Sequence, residues 1–348
     1  MKRFYIGSIG KNSGKQVITL GLGLCIRERG LSLAYIKPVG REPVYHEGKL
    51  IDADALAFHS ALGLSEPLKK TSPLVYSIDV MRKALSGKLK NQGQKIVRDI
   101  SSLKADVVLI AGTTDIFEGS LIGINGLKIS KMERTKAILV ERYQTEETLD
   151  DILAGRELLG RTLCGVIINR VPGESMNEVK KEVVPYLEKK KVKVFGVVPE
   201  EKKLSAVTVK TLADTLGARV VCGEELLGGL VENFSIGAMD VTNALKFFRR
   251  TPNKAVITGA HRADIQMAAL ETSTRCIILT GGLLPNDVII GKAIEKSVPI
   301  LSVKEDTFAT VDRIEALLGK AKVRDPERLP LIKALVNRHV DIDKLLVG

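Results

Sequence analysis

From residue 1 to about 200, short apolar runs alternate with longer amphipathic stretches, the pattern of parallel strands joined by covering helices. The runs predict strands at Phe4–Gly7, Leu33–Ile36, Val107–Ile110, Ala137–Val140, Cys164–Asn169 and Val194–Val198. Several are apolar throughout, as strands buried on both faces are. A second strand–helix series follows a short connection around Pro199 to Ala206, with strands at Val220–Cys222, Ala255–Thr258, Cys276–Thr280 and Ile300–Val303. Helical patterns at Asp264–Glu271 and Asp287–Ser297 separate them. Pro326 and Pro330 bracket a last segment, Leu331 to Leu346, whose apolar positions Leu331, Ile332, Leu335, Val336, Val340, Leu345 and Leu346 predict an amphipathic tail helix. The expected fold class is α/β, with a parallel-sheet domain over 1–205, a smaller α/β domain over 206–325 and a tail helix over 326–348.

The predicted strands of the first domain end in glycine or polar residues, Gly7, Lys37, Gly112, Glu141 and Asn169. Ligands of open α/β sheets bind outside that edge. The first strand runs into a glycine-rich turn, GSIGKNSGKQ from Gly7 to Gln16, followed by the apolar helical run Val17 to Ile26. In that order of strand, turn and helix, Gly14-Lys15 reads as a phosphate-binding loop. Backbone N–H groups of Ser8, Asn12, Ser13 and their neighbours, with the positive end of the helix, form an anion cradle to which Lys15 adds a point charge. The hydroxyl that normally follows the lysine and ligates magnesium is missing, because Gln16 stands there. Ile9 occupies the place of the first glycine. The bland alternative is a tight turn capped by Gly14, with Lys15 in solvent.

Composition narrows the function classes. With 348 residues, 45% of them hydrophobic and 27% charged, the chain can bury sizeable cores. No apolar run reaches the roughly 18–20 residues that cross a bilayer, and no signal-peptide pattern opens the chain; the expectation is a cytoplasmic protein without a membrane partner. Cys25, Cys164, Cys222 and Cys276 are scattered through apolar stretches and read as buried thiols. The net charge of +12 lies largely in lysine clusters such as Lys189-Lys190-Lys191, interspersed with glutamates, and aromatics make up only 4%. That composition argues against nucleic acid and for attraction of phosphorylated metabolites.

On these residues the first domain resembles the dethiobiotin synthetase P-loop fold, and more closely the amino-terminal domain of some phosphotransacetylases. The second resembles the DRTGG domain that often accompanies it. The P-loop of dethiobiotin synthetases is one residue longer than the common one, which places its first glycine at Ser8. The resemblance implies ATP or a related nucleotide as ligand. It implies for Lys37, in Lys37-Pro38-Val39, the catalytic lysine that meets the reacting carboxylate and phosphate. It implies for Asp54, in Asp54-Ala55-Leu56, a magnesium-ligating aspartate, and for Asn169 an asparagine that reads the adenine edge. Two departures count against magnesium: Gln16, and Ala111-Gly112 where the family has Glu-Gly. Asp115 and Glu118 are the nearby carboxylates that would have to substitute.

The DRTGG resemblance rests on Ala260-His261-Arg262-Ala263-Asp264, on Leu279-Thr280-Gly281-Gly282 and on Asp306-Thr307. Arg262 beside a Thr-Gly-Gly turn combines a cation with free backbone N–H groups, an effector site for a phosphate or carboxylate. The structural alternative pairs Arg262 with Asp264 or Asp306. The resemblance as a whole implies the family's regulatory portion without its acetyl-transferring domain. The expected function is therefore a non-catalytic regulatory or sensor protein that binds a nucleotide or phosphorylated metabolite and forms a homodimer through its second domain. Two alternatives stand beside it: an ATP-dependent enzyme activating a carboxylate as an acyl phosphate, and a scaffold with a vestigial P-loop.

Overall fold

The structure is a computed structural model that describes residues 1–89, 91–320 and 324–347. It divides into two units, Met1–Glu200 with Val323–Gly348, and Glu201–Lys322. The expected second-domain and tail spans include residues 321–323 and 348, which lie outside the described residues.

In chain order the strands of the first unit are β1 (Lys2–Gly7), β2 (Leu33–Ile36), β3 (Pro43–His46), β4 (Lys49–Asp52), β5 (Val107–Ala111), β6 (Thr135–Arg142), β7 (Leu163–Val171) and β8 (Val194–Pro199). Six of these form one parallel sheet in the order β2-β5-β1-β6-β7-β8. β1 and β5 carry unbroken apolar runs because helices cover both faces, and Phe4, Tyr5, Ile6 and Val107–Ala111 are buried. The chain winds outward from β1 to β2 and then reverses to β6, so the carboxyl end of β1 is the switch point at which a crevice opens. The register Ile6↔Ala111 and Gly7↔Leu139 sets the ends of β5 and β6 beside the glycine-rich turn.

The expected single tail helix is two helices, Leu329–His339 and Ile342–Val347. They part at Val340, which is extended and bridges to Gly196 at the sheet edge. The first of them lies on the helix Lys15–Glu28, where Gly21 makes room: a Cβ at Gly21 would fall 2.3 Å from Val336 Cγ2. Ile332, Val336, Ile342 and Leu345 are buried within the first unit. The tail's apolar face is thus covered by its own chain.

The second unit carries β9 (Val207–Thr208), β10 (Arg219–Cys222), β11 (Leu230–Val231), β12 (Asn233–Ile236), β13 (Lys254–Gly259), β14 (Thr274–Thr280) and β15 (Ile300–Ser302). Its five-stranded sheet runs β10-β15-β14-β13-β12, parallel except for β10. Alternate residues feed two cores. Val256, Ile277 and Leu279 meet Phe248 and Ile265 on one face, while Ala255, Ile257, Cys276 and Ile278 meet Leu212 on the other.

Candidate functional site

The turn after β1 does what its sequence requires. Gly14 adopts φ 82, a left-handed conformation that side chains disfavour, and starts the helix Lys15–Glu28. That helix has no side-chain cap and no acidic residue in its first turn. By contrast Asp52 caps the helix Ala53–Ala61 through the N–H groups of Asp54 and Ala55. The uncapped N-terminus leaves positive backbone dipoles facing the crevice.

Lys15 is 8% exposed, with Nζ donating to Ser8 Oγ at 2.8 Å and to the Thr114 carbonyl at 2.9 Å. Burial pulls its pKa down to about 8, against the opposing pull of Glu141. The alternative of a solvated Lys15 is thereby excluded. Ser8 is buried and hydrogen-bonds the Gly10 carbonyl, Asn12 takes a positive φ of 54, and Ser13 Oγ is buried without a hydrogen-bond partner in the described structure. Asn169 Nδ2 donates to the Ser13 carbonyl at 2.8 Å, so that amide holds the loop in place.

A side chain to which the sequence assigns no role completes the loop. Glu141, 1% exposed at the end of β6, accepts from Ile9 N at 2.6 Å and Gly10 N at 3.2 Å. Burial raises its pKa to about 7, and Asp151 pushes in the same direction while the two backbone N–H groups and Lys15 oppose. The turn therefore already coordinates a carboxylate through two of its backbone N–H groups.

Lys37, expected to meet the reacting groups, lies between two carboxylates instead. Its Nζ is 2.8 Å from Asp52 Oδ1 and 2.8 Å from Asp54 Oδ2, all three side chains being buried. Burial works against its charge, but Asp54 and Asp52 more than offset it and raise its pKa. Asp52 is likewise opposed by burial, yet Lys37 and backbone donors hold its pKa below the usual carboxylate value. Asp54 Oδ2 also accepts from Gln16 Nε2, and its Oδ1 is 2.8 Å from Arg324 Nε and 2.7 Å from the Arg324 terminal nitrogen.

Magnesium, which the resemblance implies, does not fit these residues. Position 16 offers an amide already spent on Asp54, Ala111 ends β5 without a carboxylate, and Asp54 is surrounded by nitrogen donors. The nearby carboxylates do not substitute. Asp115 Oδ1 accepts from Phe117 N and Glu118 N, while Glu118 accepts from Thr114 N and pairs with Arg41 at 2.5 Å. Among the described residues no cluster of three or more His, Cys, Asp and Glu side chains could hold a metal ion.

In the second unit the parallel ladders bring the ends of β13, β14 and β15 to one edge, so the residues named there share it. The backbone N–H groups of the Thr-Gly-Gly turn are not free, which corrects the expectation of free donors there. Gly281 N donates to Glu305 O at 2.9 Å and Gly282 N to Val303 O at 2.8 Å. Arg262 makes a two-pronged pair with Asp264, both bonds 2.9 Å, and also donates to the Met239 carbonyl. Thr280 and Thr307 hydrogen-bond each other at 3.1 Å, and Asp306 caps its helix through Ala309 N. The arrangement is that of the structural alternative.

With this geometry in view, comparison with known proteins places both units. Residues 2–208 match the family model described as an AAA domain, and residues 211–317 match the DRTGG domain. A phosphate acetyltransferase of Pseudomonas aeruginosa is 24% identical over 372 residues, covering 99% of this chain and 52% of that protein. One from Pseudomonas putida is 26% identical over 364 residues, covering 98% and 51%. The chain spans about half the length of these curated relatives. Among solved structures, the septum site-determining protein MinD with Mg-ADP from Pyrococcus horikoshii is 17% identical, covers 57% of this chain and 82% of its own, and has a TM-score of 0.37. The relatives that match along nearly the whole chain bear an enzyme's name, which overturns the expectation of a non-catalytic regulatory or sensor protein. No helix among the described residues is long and apolar enough to cross a membrane. Because the first match spans more than half of its residues, the chain belongs to the AAA domain family, and it carries a DRTGG domain behind that P-loop domain.

Proposed function

We propose that this chain works as part of phosphate acetyltransferase activity in the cytoplasm, and that its P-loop takes up a phosphate-bearing ligand of the ATP class. The observation that carries the reading is the uncapped N-terminus of the helix Lys15–Glu28, with the Lys15 ammonium buried beneath it. The Glu141 carboxylate on Ile9 N and Gly10 N supports it, since the same donors suit a phosphate oxygen. The relatives' shared name supplies the enzyme class, acetyl transfer to phosphate. The four cysteines, unpaired in the described structure, suit a reducing compartment. Calorimetric titration of ATP, together with an assay for acetyl phosphate formed from an acetyl thioester and inorganic phosphate, tests both halves. Saturable binding supports the P-loop half and turnover the acetyl-transfer half; absence of binding overturns the first and absence of turnover the second.

A phosphate entering the loop displaces Glu141, which is easier when that side chain is neutral. Below pH about 7 Glu141 is protonated and above it charged, so ATP affinity falls as pH rises from 6 to 8. By the fraction of competent protein, the loss at pH 8 is on the order of tenfold. Glu141→Gln removes that component, binding ATP about tenfold more tightly than wild type at pH 8 and equally at pH 6. Ionisation of ATP itself is common to both proteins, whereas Lys15 loses the opposing pull of Glu141 in the variant and its pKa is lowered further, so the two profiles are compared below the range in which Lys15 titrates. Parallel pH profiles for the two would refute displacement.

A further inference from the structure

Asp54 is the residue that the resemblance assigns to the metal, yet its buried carboxylate is enclosed by three side-chain donors among the described residues. Lys37 and Gln16 serve Oδ2, and Arg324 serves Oδ1 with two nitrogens. Asp54 is 1% exposed and the Arg324 side chain 34%, so the guanidinium closes the solvent side of a carboxylate that is otherwise sealed. Arg324 is 270 residues away in sequence, just past the second unit. Two cations, Lys37 and Arg324, face the two buried carboxylates Asp52 and Asp54, and Glu42 lies 3.8 Å from the same guanidinium. A divalent ion at Asp54 would have to expel the guanidinium from Oδ1 and compete with the Lys37 ammonium for Oδ2. A guanidinium is also suited to remain there, being permanently charged and weakly hydrated.

We propose that Arg324 is a resident cation standing in the divalent ion's place at Asp54, so that the P-loop site accepts its phosphate-bearing ligand without a metal. The ligand part rests on the P-loop reading above, whereas the metal part is independent of it. Loss of Arg324 leaves a cluster with excess negative charge and exposed oxygens, the chemistry a hard divalent cation takes.

The test titrates Mn²⁺ alone, followed by electron paramagnetic resonance, into wild type, Arg324→Met and Arg324→Lys. The expected result is that Arg324→Met binds Mn²⁺ at least tenfold more tightly than wild type, with Arg324→Lys behaving as wild type. Arg324→Gln, which keeps a hydrogen-bond donor without the charge, gives the same reading if the methionine variant does not fold. Equal Mn²⁺ affinity in wild type and the neutral variants, whether strong or undetectable, overturns the proposal. In a second arm, ATP affinity of wild type is expected to be the same within twofold in chelator and in magnesium, and that of Arg324→Met to rise at least tenfold with magnesium. A wild type that needs magnesium contradicts the proposal. A wild type that binds no ATP in either buffer defeats the P-loop reading alone, because the Mn²⁺ arm still reads the metal site.

Discussion

Replacing Lys37 by methionine is expected to lower the stability of the first unit by about 3–5 kcal/mol, the usual cost of removing one partner of a buried ion pair. The ammonium serves both Asp52 and Asp54 at 2.8 Å, and all three groups are buried. Arg324 still serves Asp54 in the variant, so the loss falls mainly on Asp52. The pH dependence follows from the shifts. The Asp52 pKa is held down in the folded protein, so its stabilisation is present above the unfolded carboxylate value and lost as pH falls through the folded one. The Lys37 pKa is raised, so its share is present below the ordinary lysine value and lost only as pH rises beyond it. The deficit of Lys37→Met is therefore full at neutral pH and shrinks in acid, where Asp52 protonates and no longer needs the cation. Urea unfolding of both proteins at neutral and acid pH measures it. An unchanged midpoint would mean that the ammonium is free for ligand chemistry, as the sequence resemblance implies.

Replacing Lys15 by alanine is expected to weaken ATP binding by about 1.5–3 kcal/mol, roughly ten- to hundredfold, the range for a lost charged hydrogen bond. Among the described residues the ammonium is anchored to a hydroxyl and a carbonyl, Ser8 Oγ and Thr114 O, with no carboxylate in direct contact. A partly desolvated cation with neutral partners is one that an incoming phosphate can recruit at small cost. Its pKa near 8 adds that the contribution fades as pH rises through that value, because the neutral amine holds no charge for the ligand. The fold should tolerate the change, since truncation leaves a short gap beside Ser8 rather than an unpaired buried charge. Isothermal titration of the folded variant at pH 7 decides it. Affinity within twofold of wild type would show that the ligand binds elsewhere.

The sheet was legible wherever burial on both faces imposes continuous apolarity. The centres of β1, β5 and β7 are found where the sequence places them, because a central strand buried on both faces satisfies such a run, and Leu33–Ile36 is found as well, as the edge strand β2, since its last three residues are buried. The hairpin of β3 and β4 escapes notice because it is largely exposed, so its pattern of Pro, Tyr, His and Lys carries no core signal. β12, Asn233–Ile236, is a half-buried edge strand and is missed for a related reason. The tail reads as one helix since the apolar spacing runs through Val340, and the break arises from a bridge to Gly196, distant in sequence.

The site divides in the same way. Lys15, Ser8 and Gly14 are visible because strand, turn and helix are contiguous in the chain. Glu141 is visible only as a polar strand end; its contact with Ile9 and Gly10 follows from the pairing of β1 with β6, which the sequence does not specify. Arg324 gives no local signal at all, lying in an unremarkable stretch of charged residues. In the second unit the Thr-Gly-Gly turn is recognisable, but whether its N–H groups are free depends on Val303 and Glu305, which return from the following strand.

The central claim is that phosphate enters the turn after β1 by displacing Glu141. Amide resonances of nitrogen-15-labelled protein, followed during titration with ATP in chelator at pH 7, test it most directly. The expected result is that the largest shifts fall on Ile9, Gly10, Gly14 and Lys15, saturate together, and are abolished by Lys15→Ala. Shifts confined to Gly281, Gly282 and Arg262, with the Ile9 and Gly10 amides unmoved, would contradict the account.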